Sequence, residues 1–156
     1  MDIDFKDGIY YLSGRLDEFS EFGSLANAPA PLKLNIGKVL SINSVGVRKF
    51  LVFTLKWSPK KFEFFECTPE FITNVNVIPQ MLGSPSDETQ IKSFYVPFSC
   101  ESCKRLENVL FHRESMVIDS TGQVFIPEKK CAKCGETLDL DVEKNEYFMF
   151  LTGEQS

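Results

Sequence analysis

The sequence predicts an α/β fold, with helices packed on a mixed sheet, followed by a small β module. Two observations in the 156 residues indicate this. Strand and helix patterns alternate over the first 83 residues, which is typical of sheets that contain parallel pairs. Short strand patterns fill the remainder, and two cysteine pairs lie among them. The composition is globular, with 43% hydrophobic and 25% charged residues, and 15 phenylalanines supply large rings for a core.

The first three elements are a strand, a helix and a second strand. Residues 8–16 (GIYYLSGRL) are rich in aromatic and aliphatic residues and predict a strand. Residues 17–26 begin with Asp17, a good N-cap, and continue with apolar residues at helical spacing, so we expect a helix. After two prolines, residues 32–36 predict a strand that residues 39–42 extend or follow.

The next three elements repeat this alternation. Residues 45–57 carry too many apolar side chains for one stripe, which predicts a largely buried helix with Ser44 as its cap. Residues 61–67 (KFEFFEC) predict a strand, and Pro69 suits the first turn of a helix that runs to about Leu82.

We place a domain boundary after Ser86, giving domains 1–86 and 87–156. The segment Gly83-Ser84-Pro85-Ser86-Asp87 is a cluster of turn residues. The first part carries 9 basic and 9 acidic residues and the second 8 and 13, so the net charge of −5 belongs to the second part. We expect the two parts to pack together, with the strand at Phe94–Phe98 completing the sheet of the first.

Residues 1–83 resemble a STAS domain, the fold of anti-sigma-factor antagonists. The resemblance is carried by Gly14-Arg15-Leu16-Asp17-Glu18, Leu32-Lys33-Leu34-Asn35, Ile42-Asn43-Ser44-Val45-Gly46-Val47-Arg48 and Glu66-Cys67-Thr68-Pro69. In that family the middle segment commonly contains Asp followed by Ser and opens a helix, and a partner kinase modifies this Ser in phospho-switch members. Ser44 holds the position here, although Asn43 replaces the Asp. The resemblance implies bacterial signalling through a protein partner.

Ser44 also has a purely structural interpretation. A serine at a helix N-terminus accepts a hydrogen bond from a free backbone N–H, which is worth about 1 kcal/mol. A phosphate at the same place would meet the positive end of the helix dipole. The residue types therefore allow a plain cap, a phosphorylation site or a docking surface at Ser44.

The four cysteines Cys100, Cys103, Cys131 and Cys134 form two CxxC pairs with 27 residues between them. Four thiolates in two close pairs satisfy the tetrahedral preference of zinc and leave no coordination position open. We therefore expect a structural zinc site. Iron is an alternative, because S4 sites accept either metal. A redox dithiol fits less well, because neither pair lies in a βαβ pattern. Disulfide pairing is the third alternative, and the reducing cytosol that we expect as the compartment disfavours it.

The surroundings of the cysteines resemble a zinc ribbon, in which hairpins end in CxxC knuckles. The resemblance covers residues 94–151, where short strands are expected at 93–99, 108–112, 124–126, 138–140 and 147–151 and a turn at Ser120-Thr121-Gly122. So small a region depends on its metal, and we expect metal removal to unfold it.

Zinc ribbons often bind nucleic acid, which makes a nucleic-acid or transcription-associated protein the alternative function. Lys129, Lys130 and Lys133 lie near the second pair, but four acidic residues follow between positions 139 and 146. Four thiolates around one Zn²⁺ add about −2 to this acidic part. Repulsion from phosphate therefore disfavours nucleic-acid binding.

The sequence contains no catalytic constellation. The single histidine, His112, is not needed as a ligand, because the four cysteines already complete the metal shell. We interpret Cys67 as a buried thiol rather than a nucleophile. There is neither a basic, apolar leader after Met1 nor a run of roughly 20 apolar residues. We expect a non-enzymatic cytoplasmic signalling adaptor that binds a protein partner, not a membrane.

Overall fold

A computed structural model describes residues 1–57, 61–83 and 90–152. The described residues form a mixed α/β structure, which confirms the predicted fold class. The strands are β1 (Asp2–Lys6), β2 (Ile9–Leu16), β3 (Leu32–Ile42), β4 (Phe62–Phe65), β5 (Ser93–Cys100), β6 (Arg105–His112), β7 (Val117–Ile118), β8 (Val124–Phe125) and β9 (Asp139–Leu140). The helices are α1 (Ser44–Trp57), α2 (Pro69–Val77), α3 (Lys144–Tyr147) and α4 (Met149–Thr152).

The first half is a four-stranded sheet in the order β1-β2-β3-β4. β1 and β2 form an antiparallel hairpin through Asp7 and Gly8, which both have positive φ (52° and 83°), as a type I′ turn requires. β2 pairs with β3, and β3 with β4, in parallel. The parallel pairs predicted from the alternating pattern are therefore present, and β1 is a strand that the sequence did not indicate.

β5 joins the two halves through main-chain hydrogen bonds to Cys67, two residues after the end of β4. Cys67 N donates to Ser93 O (3.1 Å), and Tyr95 N donates to Cys67 O (2.8 Å). The bridge between Cys67 and Phe94 is parallel. The strand at 94–98 therefore contacts the edge of the first sheet only through isolated bridges, and it belongs to a separate sheet in the order β6-β5-β9, so it does not complete the first sheet as predicted. The boundary after Ser86 lies outside the described residues.

β5 is also the central strand of the second half. It pairs along its whole length with β6, and the end of its other edge pairs with β9. Pro97 lies on the edge of β5 that faces Cys67 and β9. On this edge, Tyr95 N donates to Cys67 O, and Asp141 N donates to Pro97 O (2.9 Å). Proline lacks an N–H, and this place in the ladder uses only its carbonyl.

The core is one continuous cluster that crosses from the first half into the second. Phe50 of α1 lies at its aromatic centre, with ring centroids 5.6 to 6.3 Å from those of Phe22, Phe53, Phe64 and Phe71. Gly46 lets α1 approach the end of β2, because a Cβ there would lie 2.0 Å from Leu16 O. The helix therefore begins directly against the sheet.

Two element predictions are wrong. Residues 17–26 form no α-helix but turns with one 3₁₀ segment at Gly23–Leu25. Asp17 Oδ1 accepts from Phe19 N (3.0 Å) and Ser20 Oγ accepts from Asp17 N (2.9 Å), which closes a local turn in place of a helix cap. Residues 147–151 are not a strand: Tyr147 ends α3, Phe148 is a turn residue, and residues 149–151 lie in α4.

The remaining elements agree with the sequence, with shifted ends. α2 begins at Pro69 as expected, with Thr68 Oγ1 accepting from Phe71 N (3.2 Å), but it ends at Val77, two residues before Pro79. A 3₁₀ turn covers Pro79–Leu82. No helix in the described part of the chain is long and apolar enough to cross a membrane.

Candidate metal centre

The first CxxC pair forms the tip of the β5–β6 hairpin. Cys100 is the last residue of β5 and is paired with Arg105, the first residue of β6. The chain reverses through Lys104, whose φ of 54° is uncommon for a residue with a side chain. Cys103 N then points at Cys100 Sγ (3.4 Å), so a main-chain donor lies beside the sulfur.

The second pair forms a similar tip between Lys130 and Thr137, which face each other as an antiparallel bridge. Cys131 N donates to Glu136 O (2.7 Å), and Gly135 N donates to Cys131 O (2.9 Å). Gly135, directly after the pair, has a φ of 79°. The glycine therefore occupies the same turn position as Lys104 in the first pair.

The two tips bring all four sulfurs together. Cys100 Sγ lies 3.4 Å from Cys134 Sγ, and Cys103 Sγ lies 3.9 Å from Cys131 Sγ. All four sulfurs lie within 4.8 Å of one another. A tetrahedral ion with metal–sulfur distances of about 2.3 Å needs sulfurs about 3.8 Å apart. The predicted ligands thus form a cluster of the right size to hold a metal ion.

The surroundings of Cys131 favour its thiolate form. Its pKa is lowered to about 6 by the backbone N–H of Cys134, aided by the N–H of Lys133 and by the Arg105 guanidinium, whose Nη2 lies 3.6 Å from the sulfur. The neighbouring Cys134 sulfur raises the pKa of Cys103 to about 12. One thiolate therefore forms readily, and a cation is needed to hold all four sulfurs as thiolates.

The cluster lies half in the core and half in solvent. Cys100 and Cys131 are buried, Cys103 is half-buried and Cys134 is exposed. Leu138 is buried just after the second tip. The buried pair fixes the cluster to the core, while a metal ion has a path to the site past Cys134.

His112 and Cys67 both lie apart from the four clustered cysteines. His112 is exposed at the far end of β6, opposite Ser93, seven residues from the first tip. Cys67 is fully buried, and burial strongly raises its pKa. Within the described residues, only the four cysteines cluster at metal-binding distance.

Two of the three lysines near the second tip have partners within the protein. Lys129 Nζ lies over the Phe111 ring, 5.2 Å from its centroid. Lys130 Nζ lies 3.3 Å from Glu128 Oε1 and donates to Thr137 Oγ1 (2.8 Å). These two side chains stabilise the hairpin that carries Cys131 and Cys134.

Ser44 is the first residue of α1 and is exposed, but it is not the cap. Asn43 is the cap, because its Oδ1 accepts from Gly46 N (2.8 Å). Its Nδ2 also donates to Glu18 Oε2 (3.0 Å). The assignment of the cap to Ser44 is therefore wrong by one residue. The sequence already contained the correct signal at Asn43, since asparagine is as good an N-cap as serine.

No family model matches this chain, and comparison with curated proteins and with solved structures finds no similar protein.

Proposed function

We propose that this protein is a non-enzymatic cytoplasmic adaptor that binds a protein partner through a STAS-like first half and holds structural zinc in its second half. The observation that carries the proposal is the convergence of four cysteine sulfurs, 3.4 and 3.9 Å apart within facing pairs. A complete set of four thiolate ligands leaves no coordination position for a substrate or an activated water.

Zinc is the metal that the ligand set favours. Zinc accepts tetrahedral thiolate coordination and has no redox chemistry, which suits a site that only stabilises structure. The Arg105 guanidinium and the main-chain donors at the tips offset part of the charge of about −2 that four thiolates and Zn²⁺ leave. Elemental analysis of purified protein tests this assignment, with one zinc per chain expected and one iron per chain contradicting it.

The start of α1 is the proposed docking surface. Ser44 is exposed beside the helix N-terminus, and Val45 next to it is partly exposed. Because Asn43 already provides the cap, the Ser44 hydroxyl is available to a partner or a kinase. The resemblance to phospho-switch STAS domains supports the same surface, and the close contact at Gly46 accounts for the glycine in that motif.

Affinity capture from a native bacterial lysate tests the adaptor function. We expect wild-type protein and Ser44→Ala to retain a specific partner, and Ser44→Glu to release it, because a carboxylate partly imitates phosphate. Leu106→Glu, at an exposed residue of β6, is the matched control. Equal capture by all variants would contradict docking at Ser44, and no specific partner at all would contradict the adaptor function.

Phosphorylation of Ser44 is tested separately. Incubation with cytosolic extract and ATP, followed by intact mass, should add one phosphate to the wild type and none to Ser44→Ala. A phosphate that appears on both proteins would place the modification elsewhere.

Nucleic-acid binding remains the alternative function. Lys133 is exposed near the second tip, but the intramolecular contacts of Lys129 and Lys130 reduce the positive surface there. A gel shift at increasing salt separates the two functions. Binding that persists at physiological salt would favour the alternative, because backbone contacts to phosphate weaken steeply as salt rises.

A further inference from the structure

A groove of about 630 Å³ runs along α1, between this helix and the turns at residues 20–26. Its floor is formed by Phe22 and Phe53, whose rings stack 4.7 Å apart at an interplanar angle of 8°. Val52, nearly half exposed, and Trp57 also line it. The groove therefore offers an apolar surface to solvent.

The wall opposite α1 is fixed in place. Lys49 Nζ donates to Ser20 O (3.1 Å) and lies 3.2 Å from Glu21 Oε1, which ties the turns to the helix. Leu25 is fully buried beneath them. The groove is thus a formed feature of the fold, and the segment that forms its wall is the one that the sequence predicted to be helical.

The groove is basic in an acidic protein. α1 contains Arg48, Lys49 and Lys56 and no acidic residue, whereas the whole chain has a net charge of −5. Glu21 is the one acidic residue that lines the groove, and Lys49 pairs with it. Arg48 and Lys56 make no ion pair with residues 1–57, 61–83 or 90–152. Two cations therefore remain for a ligand.

The spacing of these cations matches a helical ligand. Arg48 and Lys56 are eight residues apart on α1, about 12 Å along its axis, and Val52 lies midway on the same face. A helix that lies along the groove with two carboxylates seven or eight residues apart would place its intervening apolar side chains over Val52, Phe22 and Phe53.

We propose that this groove binds an acidic amphipathic helix of a protein partner. The proposal rests on the proposed adaptor function and names the chemistry of the segment that docks. A concave, apolar floor between two cations suits a helix better than a flat lipid surface, which would meet the rims before the floor. Repulsion between chains of net charge −5 also disfavours a second copy as the occupant.

Trp57 provides a direct test, because it is the chain's single tryptophan and lines the groove. Three tryptophan-free helical peptides share one leucine face and carry Glu, Gln or Lys at two positions seven residues apart. We expect the Glu peptide to shift Trp57 emission and saturate, with roughly three- to tenfold tighter binding than the Gln peptide and the weakest binding for the Lys peptide.

Three variants of the full chain sharpen the test. Val52→Glu should abolish binding of the Glu peptide. The double variant Arg48→Glu, Lys56→Glu should reverse the preference toward the Lys peptide. Leu40→Glu, at an exposed position on β3 outside the groove, should change nothing. Unchanged thermal melting identifies the variants that remain folded, and reversal of preference in a folded protein is a result that misfolding does not imitate.

Other outcomes would overturn the proposal. These are equal binding of all three peptides, a Trp57 shift with phosphatidylglycerol vesicles but not with the Glu peptide, and self-association that Val52→Glu abolishes. The partner captured in the Ser44 experiment separates this proposal from the adaptor function. If the double groove variant captured that partner undiminished, the groove proposal would fail and the adaptor function would stand.

Discussion

The two halves of the molecule reach stability by different means. The first half packs ring against ring around Phe50, beneath a sheet whose strands β2 and β3 span eight and eleven residues. In the second half, β7, β8 and β9 have two residues each, and the longer hairpin ends at a cysteine pair. Apolar burial can hold the first half, whereas the second has few long strands and a ligand set for a metal.

β5 contacts both halves and couples the stability of one to that of the other. Its start bonds to Cys67 after β4, and its end carries Cys100 of the metal centre. Phe94 of β5 is fully buried and packs against Phe111 and Phe148 of the second half. Loss of the metal should therefore weaken the second half directly and the first half through this shared strand.

Metal removal gives the largest expected effect. A chelator, or Cys131→Ser, should cost several kcal/mol and release the tips at residues 100–105 and 130–137, because metal binding supplies folding free energy. Hydrogen exchange should rise first there, then in β5, and last in α1. Cys67→Ala is the control, since Cys67 lies outside the cluster and should leave metal content unchanged. Unchanged exchange at both tips after metal loss would contradict a structural metal.

The aromatic centre is tested by Phe50→Ala. Removing a fully buried ring from contact with four others should cost about 3–5 kcal/mol of unfolding free energy while one metal ion per chain is retained. Phe19→Ala, at a ring that is 77% exposed, should change stability by less than about 0.5 kcal/mol. Denaturant unfolding with metal present measures both. Loss of the metal from folded Phe50→Ala would show that the aromatic centre also stabilises the metal centre, so that the two halves are not stabilised independently.

The predictions that succeeded from the sequence concern features with local causes. Examples that were predicted correctly are the strand patterns of β2 and β4 and the start of α2 at Pro69. Each depends on residues within a few positions of one another. The meeting of two distant CxxC pairs was also predictable, because a closed S4 site requires it.

The errors arose where tertiary contacts overrode local pattern. Phe19, Phe22 and Leu25 have helical spacing, yet Phe19 points to solvent while Phe22 stacks on Phe53 of α1. The run at residues 147–151 is apolar on every face, so its periodicity does not separate strand from helix. Tyr147 is the last residue of the short helix α3, and its hydroxyl donates to Tyr95 O of β5 (2.5 Å). The local sequence does not indicate this long-range contact.

The start of α1 gives a smaller effect. Asn43→Ala should cost about 1 kcal/mol, because Gly46 N loses its side-chain acceptor, and Ser44→Ala should cost only a few tenths. Thermal unfolding of the two matched variants measures the difference. Equal losses would indicate that Ser44 shares the capping role, and a larger loss for Ser44→Ala would restore the sequence-based assignment.

The two cysteine tips provide the finest comparison, because they place different residues at the same turn position. Gly135→Ala should cost roughly 1 kcal/mol, since a side chain at φ of 79° is strained. Lys104→Gly relieves the same strain in the first tip, but the greater freedom of glycine in the unfolded chain offsets about 0.5–1 kcal/mol. We therefore expect Lys104→Gly to leave the free energy of unfolding almost unchanged. Competition with a zinc chelator measures metal retention in both variants. If Lys104→Gly lost metal as readily as Gly135→Ala, backbone strain would not be the difference between the tips, and the Lys104 side chain would itself contribute to metal retention.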